Sequence, residues 1–171
     1  MLVHREEKHR GFKVILLALA LLLVGHAVAQ ERNDRVNDLI KLLKSPDAND
    51  RIRAVIELMN MQQEAKQVIP ALIGAFKDQD DLVRYNAAIA LGQMGPKEKQ
   101  VVPALIEALK DQYENVRGSA ARALAQMGPE AKQAIPALIE ALKDDDGYVR
   151  DFAAYALKRL KVVYTDIQEE N

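Results

Sequence analysis

Apolar side chains in this chain fall at helical spacing, in short blocks separated by polar turns. In one block Ile69, Leu72, Ile73 and Phe76 stand at i, i+3, i+4 and i+7. That spacing places them on one face of a helix over 68–77. Pro70 lies in its first turn, where the missing N–H costs least. Asp78 to Asp81 then interrupts the pattern and supplies carboxylates able to cap the next helix. This second helix is predicted over 82–94, with Val83, Ala87, Leu91 and Met94 on its buried side. Gly95-Pro96 stops it, and Gly128-Pro129 does the same one block later.

The pattern is periodic. Pro70, Pro103 and Pro136 stand 33 residues apart, as do Asp78, Asp111 and Asp144. Arg51, Arg84, Arg117 and Arg150 keep the same interval, and so do Leu58, Leu91, Leu124 and Leu157. Residues 68–100 and 101–133 are identical at 21 of 33 positions without a gap. A fixed period of this size marks a stack of repeats, each burying its apolar face against its neighbours. Four helix pairs and no strands are expected, in repeats of about 34–66, 67–99, 100–132 and 133–162, with a tail over 163–171. The paired alanines Ala87-Ala88, Ala120-Ala121 and Ala153-Ala154 let second helices approach closely. The first copy departs from the others: Ser45-Pro46 replaces Asp-Gln, and Glu57 stands where later copies have Ala90, Ala123 and Ala156. End repeats of a stack are commonly atypical, because one face meets water. Asn33 or Asp34 is the expected cap of its first helix.

The pattern PALIxALKD…VRxxAAxALxxMG resembles the HEAT repeat, in the short bacterial form of phycobilisome lyase-like HEAT proteins. It covers 68–160 well and 36–61 more loosely. The resemblance implies an all-α fold, a right-handed α-solenoid (α–α superhelix, armadillo/HEAT-like) of about four helix pairs. It also implies a structural role for Asp78/Arg84, Asp111/Arg117 and Asp144/Arg150, which recur six apart and resemble a hydrogen-bonded ladder joining adjacent repeats. Two enzyme classes lie near it, bilin lyases and HEAT-type di-iron hydroxylases.

Composition then narrows the chemistry. Arg5, Lys8, Arg10 and Lys13 precede an apolar run of 12 residues, 14–25, and Ala27-Val28-Ala29 comes after it. A basic lead, a short apolar middle and a small-x-small exit describe a signal peptide over 1–29, cut after Ala29. The run is short for a bilayer span, which takes about 20 residues. Left uncut, it would anchor the protein in the membrane. No cysteine follows it, which excludes a lipid anchor there. His4, His9 and His26 all lie within 1–29, so residues 30–171 hold no His, Cys or Trp. That excludes a Cys/His zinc site, a thiol nucleophile, a Ser-His-Asp triad and a histidine-held iron pair in that part. No metal and no cofactor is expected, and no enzyme activity. Of 24 Lys+Arg and 25 Asp+Glu, four basic and two acidic residues fall in 1–29, leaving a net charge of −3. That gives no general attraction to nucleic acid.

Function is expected where the copies differ. Aligned on the period, Arg53, Asn86, Ser119 and Phe152 form one column of the second helices; Ile56, Ile89, Arg122 and Tyr155 form a second; Asn60, Gln93, Gln126 and Arg159 form a third. At i, i+3 and i+7 the three columns share a face. The expected partner-binding surface is therefore Arg53, Ile56, Asn86, Ile89, Gln93, Arg122, Gln126, Phe152, Tyr155 and Arg159. Aromatic side chains and arginine are the types favoured in protein–protein contacts. The reading is an exported, periplasmic or secreted, non-catalytic scaffold for a protein partner. It is expected as a monomer or a subunit of an envelope complex, without nucleic acid and without membrane after cleavage. The alternative is an accessory subunit of an enzyme or lyase-like complex.

Overall fold

All regular structure among the described residues is helical, and it comes in pairs. The computed structural model describes residues 3–95, 98 and 100–160, with side chains from Leu16 onward. Pro96 and the tail 163–171 lie outside these residues. In chain order the pairs are the C-terminal end of α1 (Val3–Leu42) and α2 (Ala48–Met59), α3 (Ala65–Gly74) and α4 (Asp81–Met94), α5 (Val101–Ala108) and α6 (Glu114–Met127), and α7 (Ile135–Ala141) and α8 (Gly147–Arg159). Short 3₁₀ turns over 62–64, 75–77 and 128–134 link or extend them. This is the four-pair, strand-free α-solenoid that the period implies.

Two compact units divide the chain, Met1–Asn37 and Asp38–Asn171. The first is the body of α1, where the apolar side chains from Leu16 to Val24 are solvent-facing, with Leu21, Leu22 and Leu23 at 64%, 69% and 71% exposure. Asn33 and Asp34 lie inside α1 rather than at its start. Between Gly25 and Pro46 there is no glycine or proline, so nothing in that stretch ends a helix. Among the described residues no helix is long and apolar enough to cross a membrane.

In the second unit the invariant columns are the core. Leu58, Leu91 and Leu124 are fully buried and Leu157 nearly so, with Ile69, Leu72, Leu105 and Leu138 facing them from the first helices. Removing such a side chain from water is worth about 2 kcal/mol. Val83, Val116 and Val149 form a second fully buried column. The small residues do what their size allows. A β-carbon added at Gly92 on α4 would stand 2.9 Å from Ala123 Cβ and 3.0 Å from its Cα, on α6. The second helices touch nearly backbone to backbone there.

The turn chemistry is equally regular. Asp80 accepts the N–H of Leu82 at 3.0 Å and of Val83 at 3.2 Å. Asp47 and Asp146 cap α2 and α8 in the same way. At α6 the N-cap position holds Tyr113, with no side-chain cap. Its ring instead lies 5.4 Å from the Arg84 guanidinium, within cation–π range. The two glycine stops differ in cause. Gly128 has φ +58°, a left-handed conformation that glycine adopts without penalty. Gly95 has an ordinary φ of −88°. What requires glycine there is space, because an added β-carbon would collide with the Leu91 carbonyl and press on Val101.

Adjacent repeats are tied by a ladder of ion pairs. Arg51 Nε donates to Asp78 Oδ2 at 2.7 Å and its Nη2 to Oδ1 at 2.9 Å. Arg84 grips Asp111 at 2.7 and 3.0 Å, and Arg117 grips Asp144 at 2.7 and 2.8 Å. Each bond reaches 27 residues forward, into the next repeat. The aspartate and arginine six apart therefore do not pair as side chains. Within one repeat the arginine's Nη1 donates to the aspartate's backbone carbonyl, as Arg84 does to Asp78 at 2.7 Å. Arg51 thus makes the first rung. Among the described residues Arg150 makes only the backbone half, to the carbonyls of Asp144 and Asp145.

The rungs are poorly exposed, with side-chain exposures of 7% and 11% for Arg51 and Asp78. Burial by itself would raise the Asp78 and Asp111 carboxyls. The arginine hydrogen bonds, with a backbone N–H two residues on, outweigh it and hold both below the ordinary carboxylate value. At Asp144 the Arg117 hydrogen bonds are the largest influence and the direction is the same. The three arginines are pushed upward by the same bonds.

Candidate protein-binding surface

The variable columns lie on α2, α4, α6 and α8, which pack side by side in order. Arg53, Ile56, Gln93, Arg122, Gln126, Tyr155 and Arg159 are exposed there; Asn86, Ile89 and Phe152 are half-buried. Ser119, which shares a column with Arg53 and Phe152, is buried at 3% exposure and presents nothing to solvent.

The face has two characters. Across α2 and α4 it is aliphatic, with Ile56 at 42% exposure and Leu82 at 53%. Two of its polar groups there are already engaged: Arg53 pairs with Asp50 at 2.9 Å, and Asn86 Nδ2 donates to the Leu82 carbonyl at 2.7 Å. Across α6 and α8 it is aromatic and cationic. Tyr148, Phe152 and Tyr155 make a continuous row on α8. Tyr148 and Phe152 meet edge to face with centroids 4.7 Å apart, and Phe152 and Tyr155 do so at 6.5 Å. Such pairs hold their rings in place beyond simple burial. Arg122 stands one repeat before Tyr155 in the same column and has no ion pair among the described residues. Among the described residues Arg159 makes a single long contact, 3.5 Å from Nε to the Ala125 carbonyl.

Sequence reasoning missed Tyr148 and Leu82. Both belong to a fourth column, Asn49, Leu82, Asn115 and Tyr148, and Tyr148 stands at i−4 from Phe152 and i−7 from Tyr155. The signal was present in the same alignment. The Tyr148 ring is seated on Gly118 of α6, and a β-carbon there would overlap its Cδ1 and Cε1 atoms. The preceding repeat carries Tyr85 at the position of Gly118. One substitution in the repeat thus makes room for the aromatic that the next one introduces.

An apolar cavity of about 320 Å³ lies elsewhere, lined chiefly by Ile40, Leu43, Lys44, Ala71, Gly74 and Lys77 from the first helices. Among the described residues no group of three or more His, Cys, Asp or Glu side chains is placed to hold a metal ion.

The sequence profile of HEAT repeats matches residues 36–112 and 102–166, most of the chain. The chain belongs to the HEAT-repeat family. Solved structures agree on the fold. A human deoxyhypusine hydroxylase, solved with glycerol, is 27% identical and superposes with a TM-score of 0.60 over 74% of this chain and 43% of its own. The phycocyanin lyase complex of CpcE and CpcF from Nostoc is 24% identical, with a TM-score of 0.51 over 74% and 65%. A designed armadillo repeat protein bound to the peptide (KR)4 is 21% identical, with a TM-score of 0.58 over 71% and 62%. The HEAT-repeat chain spans less than two thirds of each of these structures. Comparison with curated proteins gives no match.

Proposed function

We propose that this HEAT-repeat chain is an exported, non-catalytic scaffold that holds a protein partner on the exposed face of its second helices. One observation carries the reading: the columns that vary between otherwise matching repeats assemble a single face, ending in the Tyr148–Phe152–Tyr155 row with Arg122 beside it. A rigid aromatic row flanked by cations is the composition of an interface hot spot. The designed armadillo protein, similar in fold, carries a bound peptide, which supports a peptide or protein ligand as the class. Chemistry enters only through the relatives' names, and residues 30–171 contain no histidine or cysteine to support it.

Tyr155→Ala combined with Arg122→Ala tests the surface. Immobilised residues 30–171 are expected to retain a specific protein from the cell envelope, and the double variant to lose it while melting unchanged. Unaltered retention would remove the surface from consideration. Export rests on the basic, apolar and small-residue succession over 1–29. N-terminal sequencing of the protein recovered outside the cytoplasm is expected to begin at Gln30. A chain that stays in the cytoplasm with its N-terminus intact would overturn that part alone.

A further inference from the structure

Arg150 ends the row of rung arginines, and it is prepared in the same way as the other three. Its Nη1 donates to the carbonyls of Asp144 at 2.6 Å and Asp145 at 2.7 Å. Arg51 does the same to Ser45 and Pro46, and Arg117 to Asp111 and Gln112. Those bonds fix the plane of the guanidinium and aim its other edge at the following layer. In Arg51, Arg84 and Arg117 that edge, Nε with Nη2, holds a carboxylate in two hydrogen bonds. In Arg150 no described residue takes it, and the side chain is exposed where Arg51 and Arg84 are buried at 6% and 5%. A planar fork with one edge already anchored is pre-organised for a carboxylate.

The filled rungs also define what fits. Each incoming aspartate stands on the turn between the two helices of a pair. Its Oδ1 also accepts the N–H two residues on, from Asp80, Tyr113 or Asp146. Its own carbonyl is met by an arginine six positions later. A second copy of this chain does not offer that turn. Ser45 stands at the matching place in the first pair, and its hydroxyl is spent on the Asp47 N–H at 3.2 Å and on Asp50 at 3.0 Å. Uncharged and with one oxygen, it cannot fill the fork.

We infer that Arg150 is a docking group for the aspartate-bearing interhelical turn of a different helical-repeat protein, which continues the stack past α8. The site lies apart from the aromatic face, so each can fail without the other.

Nitrogen-resolved NMR of the arginine Nε–H groups in the full chain reads the fork directly. The probe is a synthetic peptide copying residues 103–128, which carries the Asp111 turn and Arg117. The Arg150 signal is expected to move toward those of Arg51, Arg84 and Arg117 and to exchange more slowly with water. The Asp111→Asn peptide is expected to bind about tenfold more weakly or worse, and the Arg150→Ala chain to show no such response. Equal binding of the two peptides overturns the inference. So does an Arg150 signal that already matches the filled rungs in the free chain and loses that state in Asp166→Asn/Glu169→Gln/Glu170→Gln, since the chain's own acids would then occupy it. A second measurement covers a peptide too short to hold its turn. A copy of residues 128–160 is joined directly after Leu160, with the copied Asp144 either kept or replaced by Asn. The Asn form is expected to melt lower when Arg150 is present and no lower in Arg150→Ala. An equal difference in both backgrounds overturns the inference.

Discussion

Arg84→Ala is expected to lower the melting temperature by about 10 °C, reflecting a loss of about 3 kcal/mol. The size reflects the groups left behind. The Asp111 side chain is only 13% exposed, and without Arg84 its charge keeps a single backbone N–H from Tyr113. The Asp78 carbonyl loses its 2.7 Å donor as well, and the Tyr113 ring loses its cation. Removing one partner of a buried pair costs more than the pair itself is worth, because the surviving charge remains out of water. Arg84→Lys is expected to recover little, since a single ammonium cannot span both carboxylate oxygens in the plane of the fork. Asp111→Asn with Arg84→Ala should cost less than the sum of the two, because they remove the same bond. Calorimetry of the single and double variants checks this. Unchanged melting together with a lost partner would mean that the arginines serve a ligand rather than the stack.

Acid is expected to unfold the stack by releasing all three rungs together. Asp78, Asp111 and Asp144 each have folded-state values below the ordinary carboxylate value. A depressed value means that the folded form favours the charged carboxylate. The stability from this source is complete above the unfolded value and is lost as pH falls through the folded one. The melting temperature should therefore change little between about pH 7 and about pH 5, then drop steeply below about pH 4. Asp144→Asn is expected to melt lower at neutral pH and to lose less on acidification, because one of the three linked groups is gone. A melting temperature of Asp144→Asn that falls as far as that of the native chain would detach the acid transition from the ladder.

Much of the fold was legible because a repeat states its core several times over. Leu58, Leu91, Leu124 and Leu157 recur at a fixed interval and are the buried column. The aspartates ahead of α2, α4 and α8 are caps, as their place before an apolar run implies. The ladder was only half legible. Spacing shows which residues recur, whereas the same recurrence fits a bond within one repeat, six apart, or between repeats, 27 apart. Direction is settled by side-chain reach, and it brings in Arg51 and leaves Arg150 with backbone partners alone among the described residues. Singular letters were hardest to read. Tyr113 replaces a cap and lies against Arg84, and Tyr148 depends on a glycine in another helix, so neither can be placed from its own repeat. The start of α1 was misjudged because Asn33 and Asp34 cap a helix only where one begins.

Every rung takes its guanidinium from the earlier repeat and its carboxylate from the later one. A repeat is thus a unit with one donor facing forward and one acceptor facing back, like a link with a hook and an eye. Duplicating an interior unit in the gene adds one of each, so every bond in the lengthened array is complete at once and no compensating mutation is needed. Residues 68–100 and 101–133, still identical at 21 of 33 positions, have the form such a duplication leaves. The first unit cannot be copied inward so freely, because a Ser45 placed inside the stack would leave one hook with no eye.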